Sequence, residues 1–117
     1  MTSYWPVELR LAKDKAMLTV AFESGESFAL PAEYLRVESP SAEVQGHAAS
    51  QKQIVAGKRA VKIEALEPVG NYAVRIRFDD GHDTGLFSWD YLHELGADRP
   101  NRWSAYLSAL RTRRLER

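Results

Sequence analysis

The stretch Phe78-Asp79-Asp80-Gly81-His82-Asp83-Thr84-Gly85-Leu86-Phe87-Ser88-Trp89 holds the least ordinary chemistry of the chain, a histidine among three aspartates. A second polar group precedes it, with Arg36, Ser39, Ser41, Glu43 and His47 following one another closely. Three chemistries are open to Arg36, Ser39, Ser41, Glu43, His47, Asp80, His82 and Asp83. In the first, His82 and its aspartates only build a turn, because Asp and Gly suit tight turns and a single histidine is ordinarily a hydrogen-bonded one. In the second, the loop carrying Ser39 to His47 lies beside His82. The imidazoles of His47 and His82, with Glu43 or Asp83, then offer a carboxylate–imidazole metal site. In the third, the same residues line a small polar pocket for an anion or a partner peptide, with the planar fork of Arg36 as the principal donor.

The elements that must position these residues are legible from periodicity. Tyr72, Val74, Ile76 and Phe78 alternate with Ala73, Arg75 and Arg77, which is the period of a strand with one buried face. Asp80-Gly81 predicts a tight two-residue hairpin, since a primed turn needs positive φ and Gly supplies it cheaply. Residues 83–87 would return as the partner strand, and Ser88 would cap a helix over 88–96 that ends at Gly96. Upstream, alternation predicts strands over 7–12 and 17–23 and a third short strand at Phe28 and Leu30. Pro31 opens a short helix over 31–37, and Ser41 caps one further turn closed by Gly46. Residues 48–58 lack periodicity and read as a loop. Another strand covers 61–67, and Pro100 starts a helix over 100–114.

The element order argues an α+β fold, with one mostly antiparallel sheet of five to six strands and the C-terminal helices packed on one face. Trp89, Leu92, Trp103, Leu107 and Leu110 are expected to meet Val20, Phe22, Val74, Ile76 or Phe78 across that interface. At 117 residues the chain reads as one domain, residues 1–117, with a C-terminal helical extension from about residue 98.

Composition excludes several function classes. There is no cysteine, so disulfides and thiolate metal sites built by this chain are excluded. Sixteen basic side chains balance sixteen acidic ones, so no net field draws the chain to nucleic acid or membrane. No run is apolar and long enough for a membrane helix, and a cytoplasmic protein is expected. Gly85-Leu86-Phe87-Ser88 is not a nucleophile elbow, and no phosphate loop or dinucleotide fingerprint occurs. Arg99, Arg102, Arg111, Arg113, Arg114 and Arg117 face one acid, Glu116, over the last stretch. A terminal arginine run is ordinarily a solvated end, so nucleic acid is disfavoured as a partner.

Two segments in this order carry a resemblance: Leu35-Arg36, Ser39-Pro40-Ser41 and Gln45-Gly46-His47, then Phe78-Asp79-Asp80-Gly81-His82, Trp89 and Tyr91-Leu92. Together they resemble the gamma-butyrobetaine hydroxylase-like N-terminal domain family, whose stand-alone bacterial members are domains of unknown function. The resemblance spans roughly Val7 to Leu95. In the hydroxylases it implies a structural zinc on three cysteines and one histidine, ahead of a separate oxygenase domain. By position the cysteines fall on Ser39, Ser41 and Val44, and the histidine on His82. The resemblance therefore implies a lost zinc site, no inherited hydroxylase activity and no cofactor. A non-enzymatic accessory domain that binds a protein partner or a small anionic ligand is the expectation. The family's likeness to a domain appended to Mrp-type ATPases implies the alternative, a zinc- or iron-binding accessory protein in iron–sulfur cluster assembly.

Overall fold

The computed structural model describes residues 4–46 and 51–117. The first meander runs β1 (Pro6–Leu11), β2 (Met17–Phe22) and β3 (Ser27–Pro31). Two short helices follow, α1 (Ala32–Val37) and α2 (Ala42–Gln45). A second meander runs β4 (Ile63–Val69), β5 (Ala73–Phe78) and β6 (Leu86–Ser88), leading directly into α3 (Trp89–Ala97) and then α4 (Arg99–Thr112). The Ser88 hydroxyl accepts from the Tyr91 amide at 3.1 Å, capping α3 as its sequence predicts. Pro68 sits within β4, which is tolerable because β4 is an edge strand.

The single sheet is corrected to two three-stranded antiparallel sheets, ordered β1-β2-β3 and β4-β5-β6. Alternation states which side chains enter a core, but not whether two strands share a ladder, so both arrangements write the same pattern. Leu18, Val20 and Leu30 from the first sheet and Ile63, Val74, Ile76 and Phe78 from the second enter one buried cluster. A main-chain bond ties the sheets at one corner, where the Ile63 amide donates to the Lys15 carbonyl at 2.8 Å. Tyr72 is half-exposed and Ala73 is buried, so the alternation expected at the start of β5 begins one residue late. Gly96 lies inside α3 rather than ending it. Its missing side chain lets the ring of Phe28 rest on the helix, where a Cβ would overlap it.

The helices divide between two cores. Trp89, Leu92 and Leu95 of α3 join the sheet cluster, as expected. The Tyr34 hydroxyl, buried beneath α3, donates to the Leu95 carbonyl at 2.7 Å. On α4, Tyr106 and Leu110 instead pack on Val37, with Ile54, Val55, Ala56 and Leu107 around them. Trp103 is partly buried and bridges the two clusters, its ring edge-on to Tyr34. The placement of Leu107 and Leu110 against the sheet is therefore corrected: the 51–58 segment, read as a plain loop, supplies apolar side chains that reach α4 first.

The basic end also folds back. Arg117 makes a two-pronged ion pair with the buried Glu33, at 2.7 and 3.0 Å, and Glu116 accepts from the Gly57 amide at 2.9 Å. At the end of α1, Glu38 is 2 % exposed and its carboxylate takes both Lys52 and Arg102 at 2.9 Å. The Tyr91 hydroxyl donates to the Glu38 carbonyl at 2.5 Å. Glu38 thus joins α1, the 51–58 segment, α3 and α4. Replacing it by Ala leaves two cations without their buried anion and should destabilise the fold by about 3–5 kcal/mol. Chemical denaturation of Glu38→Ala checks this, and a loss below about 1 kcal/mol would mean that the pair is effectively solvated.

Candidate functional site

The chain leaves α1 at Glu38, turns through Ser39-Pro40-Ser41 and starts α2, which stops at Gly46 with φ +68°. The one-turn helix between Ser41 and Gly46 is as the sequence predicts. The Ser41 hydroxyl, however, makes no capping bond to that helix. It turns inward instead, toward His82.

His82 is carried by a turn that differs from the predicted hairpin. The Phe78 amide donates to the His82 carbonyl at 2.9 Å and the Gly81 amide to the Phe78 carbonyl at 3.1 Å, enclosing Asp79, Asp80 and Gly81. Gly81 takes φ +91°, so the loop is a three-residue one with glycine at its left-handed position. β6 then pairs only with the first half of β5, from Ala73↔Ser88 to Arg75↔Leu86. Residues 83–85 are therefore not strand. They run free of the ladder, past the Ser39 loop.

Four side chains converge there. His82 Nε2 lies 2.9 Å from Ser39 Oγ and 3.3 Å from Ser41 Oγ, and the two hydroxyls are 3.3 Å apart. His82 Nδ1 faces Glu43 Oε2 at 3.3 Å. A carboxylate at Nδ1 favours the tautomer with its proton there, leaving Nε2 to accept from a serine hydroxyl. The Glu43 carboxylate also accepts from the Thr84 hydroxyl at 3.2 Å, and Gln45 donates its amide to the Ser39 carbonyl at 2.9 Å. Ser39 is wholly buried, Ser41 and His82 nearly so, and Val44 is buried beside them. Burial and the neighbouring Arg36 push the His82 imidazole below its ordinary pKa, so the ring is neutral at pH 7.

A charged cluster flanks this latch. Asp80 accepts from Arg36 Nε at 2.8 Å and from Lys58 Nζ at 2.6 Å, and its other oxygen takes the His82 amide at 3.0 Å. Burial alone would raise the Asp80 carboxyl, but Lys58, the His82 amide and Arg36 outweigh it and hold it down at about 2.

Of the residues singled out in the sequence, Arg36, Ser39, Ser41, Glu43, Asp80 and His82 come together. Asp83 is exposed and takes no hydrogen bond from the cluster among the described residues. His47 lies outside the described residues. Lys58, Thr84, Gln45 and Gly85 were not among the candidate site residues, although Gln45 lies in the Gln45-Gly46-His47 segment that carries the resemblance. Gly85 also left a signal, a glycine outside any turn motif. A Cβ there would run into Ser39 Oγ.

The chain Ser39–His82–Glu43 has the connectivity of a nucleophile, base and orienting carboxylate. Ser39 Oγ is covered by the Gly85 backbone, though, which leaves no approach for a carbonyl carbon. The separations of 2.9–3.3 Å among Nε2 and the two hydroxyls approach the edge of a tetrahedral zinc site, roughly 3.3–3.8 Å for bonds of about 2.0–2.3 Å. The donor chemistry does not fit zinc. Serine hydroxyls keep their protons at neutral pH, and Val44 offers no ligand. Among the described residues no three His, Asp or Glu side chains gather to hold a metal.

Two expected outcomes follow from this geometry. Asp80 has a folded-state pKa below its unfolded value, so the native state binds fewer protons as pH falls from about 4 to about 2. The stability it contributes is present above about pH 4 and lost on descending through about pH 2. Asp80→Asn should therefore cost on the order of 1–2 kcal/mol at neutral pH and flatten the stability profile over that window, as measured by urea unfolding. Gly85→Ala should destabilise the fold, and Ser39→Ala should relieve part of that loss when the two are combined. Additive losses in the double-mutant cycle would mean that the two positions do not touch.

The comparisons with known proteins agree with this architecture. The family model described as "Gamma-butyrobetaine hydroxylase-like, N-terminal" matches residues 9–93. Two solution structures determined by NMR align with TM-scores of 0.84 at 44% and 43% identity, over 97% and 100% of this chain and 90% of theirs. A crystal structure of a protein of unknown function in the DUF971 family, from Acidithiobacillus ferrooxidans ATCC 23270, aligns with a TM-score of 0.66 at 40% identity, over 79% of this chain and 92% of its own. No curated protein matches the chain significantly. The family match ends within α3, while the solution structures extend over α4 as well. With most of its length matched, the chain belongs to the gamma-butyrobetaine hydroxylase-like N-terminal domain family.

Proposed function

We propose that the chain is a non-enzymatic accessory domain that acts by binding a protein partner, and that its Ser39–Ser41–His82–Glu43 cluster is a metal-free latch. The observation that carries this reading is the buried His82 ring, whose Nε2 is hydrogen-bonded to the buried Ser39 and Ser41 hydroxyls while its Nδ1 lies 3.3 Å from the exposed Glu43 carboxylate. A neutral ring with its proton on Nδ1 and Nε2 already accepting from a serine hydroxyl has no free lone pair for substrate or metal. Arg36, the donor expected for a small anionic ligand, has Asp80 as its counter-ion. Each hydrogen bond of the latch contributes about 0.5–1.5 kcal/mol net, enough together to fix the 39–45 segment against the turn.

The competing reading is a zinc- or iron-carrying protein in iron–sulfur assembly, favoured by the near-tetrahedral spacing of Nε2 and the two hydroxyls. Three measurements on protein purified without chelator separate the readings: elemental analysis, thermal unfolding with and without EDTA, and reaction with a fluorophosphonate probe. The expected outcome is substoichiometric metal, an unchanged midpoint and no serine adduct. Stoichiometric metal with a midpoint loss of several degrees on chelation would establish the metal-carrying reading. A covalent adduct at Ser39 or Ser41 would make the cluster catalytic.

A further inference from the structure

The end of α4 builds a second feature, remote in sequence from His82. The helix closes in a Schellman arrangement, with the Leu115 amide donating to the Leu110 carbonyl at 2.9 Å and the Arg114 amide to the Arg111 carbonyl at 3.1 Å. Arg114 takes the left-handed φ of +56° that this motif requires. The returning chain, pinned by Glu116 on Gly57, forms one wall of a groove of about 570 Å³, lined by Arg59, Leu107, Leu110, Arg111, Leu115, Glu116 and Arg117. That volume is in the range of ligand clefts, about 300–1,000 Å³.

The groove has an aliphatic floor of Leu107, Leu110 and Leu115. Leu115 is 42% exposed. Its rim is cationic. Arg117 is neutralised by Glu33, but Arg59 and Arg111 have no carboxylate partner among the described residues, nor do the adjacent Arg113 and Arg114. Glu116 is the one acid of the lining. Elsewhere guanidiniums meet carboxylates, Arg36 at Asp80, Arg75 at Glu67, and Arg102 at Glu38 and Glu94, although each of the three keeps one buried nitrogen without a hydrogen-bond partner. An unpaired cationic rim over exposed leucine therefore stands apart within a chain of zero net charge.

We infer that this groove binds an acidic segment of a partner protein, one in which an aliphatic side chain is flanked by carboxylates. The aliphatic residue covers Leu115 and the partly buried Leu107, with the buried Leu110 beneath them, and the carboxylates take the forked donors of Arg59 and Arg111. Charge complementarity selects an anion, and the leucine floor selects a peptide over a nucleic acid. A single strand would need rings for its bases to stack on, and the nearby rings are taken. Arg117 lies over Trp103 at 5.3 Å, and the Tyr106 hydroxyl donates to the Val55 carbonyl at 2.6 Å. The inference rests on the reading of the domain as a binding module and supplies its surface.

The test is selection of a random short-peptide phage library on the intact protein, followed by fluorescence anisotropy of the enriched peptides. Enriched sequences should pair Asp or Glu with Leu, Ile or Val. Arg59→Glu combined with Arg111→Glu should weaken their binding about tenfold or more. Arg59→Gln with Arg111→Gln should weaken it less, and Leu115→Ala should weaken it without changing its salt dependence. These side chains are exposed, so unfolding midpoints should match the parent. No enrichment, enrichment of peptides without acids, or affinities indifferent to both arginine pairs would overturn the inference. Tighter binding of a single-stranded DNA oligonucleotide that is lost in the same variants would overturn it in favour of nucleic acid. None of these results bears on the metal content or serine reactivity that test the latch, so the two proposals fail separately.

Discussion

The His82 imidazole lies where three parts of the chain meet: the turn after β5, the segment that leaves α1, and the first residues of α2. Its Nε2 faces two serine hydroxyls and its Nδ1 a glutamate, so a single ring fixes the spacing of all three. Such a ring tolerates burial only while neutral and with its accepting nitrogen hydrogen-bonded, since an unpaired buried donor or acceptor costs about 1–3 kcal/mol. The surroundings meet that requirement. Asp80 holds the His82 amide, Arg36 and Lys58 hold Asp80, and Gly85 gives Ser39 room to approach.

Much of this was legible in the sequence, and the limits of legibility have physical reasons. The hydrophobic alternation in 17–23 and 72–78, the Ser88 cap and the Ser41–Gly46 turn report local preferences, and local preferences survive into the fold. The division into two sheets did not show, because alternation assigns side chains to a face without naming the neighbouring strand. The Asp80-Gly81 pair signalled a turn correctly but not its length. A bulged three-residue loop uses the same glycine at the same sign of φ as a two-residue hairpin. The convergence of Ser39, Ser41 and His82 came from the resemblance rather than from periodicity, as no local rule relates residues so far apart. Lys58 and Glu38 were invisible for a related reason. An ion pair buried across elements leaves no periodic trace in either of them.

The family assignment and the site carry different weight. Sequence and fold place the chain in the gamma-butyrobetaine hydroxylase-like N-terminal family over most of its length. Within that family this chain puts hydroxyls and a valine where the resemblance implies thiolates. On the reading proposed above, hydrogen bonds among those hydroxyls and His82 stand in place of coordination. α4 and the folded-back end extend the domain beyond the family match. There the buried Glu33 and Glu38 draw Arg117 and Arg102 inward, while Arg59 and Arg111 have no carboxylate partner among the described residues.

The protonation and tautomer of His82 report most directly on this account. Long-range nitrogen–proton correlation NMR of uniformly labelled protein, followed from neutral to acid pH and then with added zinc, reads both ring nitrogens. The account predicts a neutral ring at pH 7 with the proton on Nδ1 and Nε2 accepting. It further predicts a titration midpoint below that of a free histidine and no response of either nitrogen to zinc. A ring already charged at neutral pH, or an Nε2 resonance that moves on stoichiometric zinc, would contradict it.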